Sequence, residues 1–157
     1  MNLKYFENID LSNVLIARMK SMDDIRTKIL DIMSKNRFKR AIILSAIGSV
    51  YDATFYGVTQ NSKLPYNQNQ ITIMKKKGPF EVLTMEGNIL PMEEQLIPHI
   101  HITLGMHDGT VIGGHLETAT VYTTIELLLA EMQKSEVVKQ KDRTSGGMQI
   151  KLPIDNK

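Results

Sequence analysis

The four histidines of this chain, His99, His101, His107 and His115, all fall within one short segment, PHIHITLGMHDGTVIGGHL. Strand alternation in HIHITL puts His99, His101 and Thr103 on one face and Ile100, Ile102 and Leu104 on the other. Two imidazoles are thereby presented side by side. The following His107-Asp108-Gly109 suits a three-residue hairpin loop with Gly109 in the left-handed conformation, which closes Met106 against Thr110. Carried back along the strands, that register sets Gly105 opposite Val111 and His101 opposite His115. His115 then joins the pair, and Glu117 comes opposite His99 as an oxygen ligand or a partner behind the ligands. A two-residue Asp108-Gly109 loop shifts the register by one and sends His115 to the other face. Gly113 and Gly114 offer either a bulge or a close backbone approach. Three neutral imidazoles suit Zn²⁺, with Ni²⁺, Co²⁺ and Fe²⁺ as competitors, and leave a fourth position open. His107 is expected to be an exposed turn residue.

Other chemistries find less support. Glu81, Glu86, Glu117 and Glu126 are candidates for acid or base work, but no spacing pairs them. The GGHL run has no Lys-Ser or Lys-Thr sequel and precedes no helix start, which excludes a phosphate-cradling loop. The absence of cysteine removes disulfides, thiolate catalysis, iron-sulfur clusters and Cys-type zinc fingers. Nineteen Lys plus Arg against seventeen Asp plus Glu leave a formal charge of +2, too small for a protein that coats nucleic acid. Any DNA contact must therefore be local, at Lys35, Arg37, Lys39 and Arg40 or at Lys75, Lys76 and Lys77.

The elements that position the histidines follow from periodicity. Asn13 to Met19 is an apolar run of strand length. Ser21 and Asp24 form a capping-box pattern, and Ile25, Ile29, Ile32 and Met33 recur at helical spacing as far as Lys35. From Ala41 the pattern is β-rich: AIILSAIG, VYDATFYGV, QITIMKK, FEVLTMEG, HIHITLGM, TVIGGHL and VYTTIELLLAEM. Asn61 to Asn69 reads as a surface loop, and MQIKL near the carboxyl terminus as an edge strand. Met22, Met33, Met74, Met85 and Met106 are expected as core filler, and Tyr51, Phe55 and Tyr56 as core or subunit contacts. One helix with about seven mostly antiparallel strands is an α+β domain. A chain of 157 residues is expected to form one domain over residues 1–157. Its amino terminus lacks the apolar block of a secretory leader, and no apolar stretch reaches membrane-span length, so a cytoplasmic protein with no membrane partner is expected.

The block PHIHITLGMHDGTVIGGHLETATVYTTIELLL resembles the signature of the plants-and-prokaryotes-conserved domain, found with AT-hooks in plants and as stand-alone prokaryotic proteins. The H-x-H, D-G and G-G-H-L elements carry the likeness. GPFEVLTMEGNIL, SAIGSVYDATFYG and the pair Asp142 and Gly146 extend it along nearly the whole chain. The resemblance implies a small α+β domain that assembles as a homotrimer and holds a metal through His99, His101 and His115, for which the three imidazoles favour divalent zinc. It also implies a DNA-binding or regulatory role. This sequence has no R-G-R-P core to enter a minor groove, so DNA contact would fall to the two basic clusters, multiplied in a trimer. The alternative is a zinc-dependent enzyme or small-molecule sensor that uses the open coordination position, with Glu81 or Glu117 carrying protons.

Overall fold

The computed structural model describes residues 6–152. In chain order the elements are β1 (Asp10–Lys20), α1 (Ile25–Asn36), β2 (Ala41–Val58), a 3-10 turn at Gln68–Gln70, β3 (Ile71–Met92), β4 (Gln95–Gly105), β5 (Val111–Gln133), β6 (Val138–Lys141) and β7 (Met148–Lys151). Five strands form one antiparallel sheet in the order β1-β5-β2-β3-β4, and β4 also pairs with β5. The pairings β5 to β2, β2 to β3, β3 to β4 and β4 to β5 therefore close into a ring, with β1 attached outside it. β6 and β7 form a separate hairpin. This is the expected α+β architecture, dominated by antiparallel strands with one helix.

Among the described residues the strands number seven, as expected, but the chain divides them differently. Breaks expected at Gly48-Ser49, around Gly78-Pro79 and between Leu116 and Val121 lie inside β2, β3 and β5. At the first two the ladder shifts register between Gly48 and Val50 and between Val50 and Asp52. A bulge absorbs the irregular residues there, so each strand bends and continues where the sequence suggests an end.

Helix α1 buries Ile25, Ile29 and Met33, spaced four apart on one face, and packs against β5, β1 and β4. It begins after Asp24, whose carboxylate accepts the N–H of Thr27 at 2.8 Å. Asp24 is thus the cap itself, and Ser21 lies outside the helix because Met22 turns the chain at a φ of 73°. Arg37 closes the other end in the left-handed conformation, its N–H bonding the carbonyls of Met33 and Ser34. The core joins these helix residues to Phe55, Met85, Ile102, Leu104, Leu116 and Ile125. Burying each large apolar side chain contributes about 1.5–3 kcal/mol. Met33 and Met85 are core residues, whereas Met22 and Met74 are exposed. Among the described residues, no helix is long and apolar enough to cross a membrane.

Candidate metal centre

The hairpin between β4 and β5 settles which face His115 occupies. Met106 N–H donates to the Thr110 carbonyl at 2.8 Å, Gly109 N–H donates to the Met106 carbonyl at 3.0 Å, and Gly109 has a φ of 85°. The loop therefore has three residues, with glycine where the left-handed conformation is needed. From it the ladder runs in register from Gly105 opposite Val111 to His101 opposite His115. Gly113 and Gly114 do not bulge in this ladder. Gly113 is instead a close approach, since a Cβ there would come within 2.5 Å of the Ile102 carbonyl oxygen.

Alternation along β4 is as the sequence predicts: Ile100, Ile102 and Leu104 are buried, while His99, His101 and Thr103 face away from the core. With His115 opposite, three imidazoles converge. Their ring centroids lie 4.9 to 5.2 Å apart, and one ring nitrogen from each falls within 4.8 Å of the others. His99 Nε2 and His101 Nε2 approach to 3.2 Å. Two nitrogens on one tetrahedral zinc stand about 3.4 Å apart at the usual bond length, so this pair already has the spacing a metal requires. Without a metal, one of these nitrogens carries the proton that the other accepts. A metal would take that proton's place between two lone pairs.

The surroundings favour neutral, ligand-ready rings at His99 and His115. Burial, then His99 and His101, push His115 down to about 4, and burial with Lys139 and His101 also lowers His99. Tyr56 lies opposite His115 across the β2 ladder and packs its ring on the imidazole at 3.8 Å. Behind His99, the Nζ of Lys139 reaches Nδ1 at 3.0 Å. When Nε2 of His99 takes a metal, Nδ1 must carry the ring proton and Nζ must accept it. Burial lowers the Lys139 amine towards the neutral form that acceptance requires. Asn88 stands opposite His99 on β3, and its buried Oδ1 has no hydrogen-bond partner.

A cavity of about 1050 Å³ opens beside the three histidines. Its walls come from the ends of β2 and β3, the loop before β3, and the β6–β7 hairpin. The loop and the hairpin are tied together where Tyr66 N–H donates to the Ser145 carbonyl at 2.9 Å.

The chain matches the Plants and Prokaryotes Conserved domain over residues 9–133. It belongs to this family. The fold is shared with a plant- and prokaryote-conserved protein from Pyrococcus horikoshii at a TM-score of 0.81 and 20% identity, covering 96% of this chain and 100% of that one. A metal-containing protein from Archaeoglobus fulgidus aligns at a TM-score of 0.78 and 25% identity, over 92% of this chain and 96% of the other. In sequence, the chain is 30% identical to the AT-hook motif nuclear-localized protein 13 of Arabidopsis thaliana across 63% of its own length and 22% of that protein's. The chain spans about a fifth of the length of the curated relatives it matches.

Within this plants-and-prokaryotes-conserved domain, the other candidate residues scatter. Glu117 is not opposite His99: the β4–β5 ladder stops at His101 and His115, and a shift in the β2–β5 ladder falls at Glu117. Its carboxylate meets Arg26 at 3.1 Å instead, while still lining the cavity. Glu81 pairs with Gly105, four positions or about 13 Å along β4 from His101. The carboxylate opposite His101 is that of Glu86. His107 is exposed in the turn. Of the basic cluster at the carboxyl end of α1, Lys35 pairs with Asp31 at 2.8 Å and Arg40 donates to the Val137 carbonyl at 2.7 Å. Arg37 and Lys39 are exposed. Lys75, Lys76 and Lys77 are exposed on β3 opposite Thr54, Ala53 and Asp52. The two basic clusters thus lie near opposite ends of β2 and form no continuous patch within one chain. Lys139 and Arg26 carry no motif, nothing in the SAIGSVYDATFYG segment points Tyr56 at the histidines, and only the tertiary fold brings the three to them. Lys139 lies beyond the stretch that matches the family.

Proposed function

We propose that this protein is a single-domain homotrimer that holds a divalent metal, zinc by preference, on His99, His101 and His115 and acts as a DNA-associated or regulatory factor. The convergence of three imidazole nitrogens within 4.8 Å carries the reading. The similarity to a metal-containing archaeal protein supports it. When bound, zinc on three nitrogen ligands supplies one Lewis-acidic open position. This chain's own residues provide the rest: Tyr56 covers His115, Lys139 orients His99, and the cavity gives a ligand access.

An outward apolar face supports self-association. Ile16 lies opposite Leu128, Tyr51 packs edge-on against Tyr122, and Leu44 and Ile47 are exposed nearby on β2. Exposed apolar area of this kind supports the reading of the face as an interface between copies. The AT-hook relative supports a DNA role, with Lys75, Lys76 and Lys77 as the exposed cationic stretch that assembly would repeat.

Elemental analysis of untagged protein purified without chelator, beside a His101→Ala His115→Ala double variant, tests the metal. Close to one divalent ion per chain, lost in the variant, is the expected result. No metal in either protein, even after incubation with Zn²⁺, overturns it. For DNA, retardation of an AT-rich duplex should weaken steeply as salt rises; absent or salt-independent retardation overturns that role.

A further inference from the structure

The cavity beside the histidines is far larger than a metal and its water need. At about 1050 Å³ it reaches the upper end of the range that small-molecule sites occupy. Its lining divides by chemistry. Arg26 and Lys141 line it with a single carboxylate, Glu117, whose charge Arg26 engages at 3.1 Å. Lys141 is two positions from Lys139 and so shares its side of β6. Ile71, Ile73, Met74, Ile97 and Met148 supply an apolar wall, and Ile73 and Met74 leave 63% and 46% of their surface open. A divalent metal on the three histidines would add its positive charge to that of the lining, whereas Glu117, the one carboxylate there, is engaged by Arg26. A ligand matching these walls has an anionic head and an apolar body.

We propose that the cavity binds a medium-chain organic carboxylate, its head between the histidines, Arg26 and Lys141 and its hydrocarbon body along Ile71, Ile73, Met74 and Ile97. The inference rests on the reading of the three histidines as a metal centre and names the ligand class of that site.

Equilibrium dialysis of labelled octanoate against zinc-loaded protein, with zinc content measured on the same samples, tests it. Octanoate should saturate at one per chain, and octylamine should not compete. Butyrate, four methylenes shorter, should bind about a hundredfold more weakly. Ile73→Asp, at an exposed position that folding tolerates, should weaken octanoate at least about tenfold with zinc content unchanged. Zinc present but octanoate unbound, bound no better than octylamine, or unaffected by Ile73→Asp overturns the carboxylate site and leaves the metal reading standing. Failure of the protein to take up zinc overturns both.

Discussion

Lys139 and His99 are joined through space at 3.0 Å, Nζ to Nδ1, although forty positions separate them in the chain. The contact carries β6 onto the back of an imidazole whose other nitrogen faces His101 at 3.2 Å. It fixes the ring's orientation from behind, as partners of metal-ligating histidines do. Replacing Lys139 with Met should keep the apolar stem and remove the contact. Zinc affinity, measured by competition with a chromophoric chelator, should fall about 10- to 100-fold, while the melting temperature of the metal-free protein stays close to that of the parent.

The pH dependence of stability follows from His115. Its folded value near 4 lies below the ordinary 6.5, so between these limits the unfolded chain binds a proton that the folded chain does not. Stability of the metal-free protein should therefore fall as pH drops from 6.5 towards 4 and lose this slope below that. Urea titrations across the interval measure it, and His115→Gln should flatten the curve.

Asp24 links the helix to the sheet. Burial alone would raise its carboxyl, but the Thr118 hydroxyl and the Thr27 N–H both donate to it and hold it below the usual carboxylate value. Its contribution should be complete above about pH 4 and lost as pH falls through the lowered folded value. Asp24→Ala should cost about 1 kcal/mol at neutral pH, and denaturant midpoints of variant and parent should converge in acid.

Leu128 and Ile16 sit opposite one another on the outward apolar face. Leu128→Glu would place a charge in the interface that a trimer buries there. Light scattering should give three times the chain mass for the parent and one chain mass for the variant, with zinc content retained in both.

The three histidines are legible in the sequence because their placement depends on two local quantities, the period of a strand and the length of one loop. Gly109 in the left-handed conformation decides the loop, and the loop decides the face of His115. Glu117 defeats the same logic, since extrapolating the ladder two positions past His115 ignores a bulge that a partner strand imposes. The long strands were hidden for a related reason: Gly48-Ser49 and Gly78-Pro79 look like ends, yet neighbours on both sides of β2 and β3 hold the chain in the sheet. Lys139, Arg26 and Tyr56 reach the site by pairing between distant segments. No spacing in the sequence encodes those meetings.

Ring closure also bears on how this domain meets its own kind. Strands β2, β3, β4 and β5 each pair with at least two others, β4 with β5 over His101–Gly105, whereas β1 has a single hydrogen-bonded neighbour, β5, among the described residues. Its outer border has no strand partner among the described residues, and such a border can template strand addition. Asn13, with a φ of 42°, kinks that border where the β1–β5 register jumps between Ser12 and Leu15. The interruption confines the regular part of that border to Leu15–Lys20, which shortens the template a second chain would find along β1.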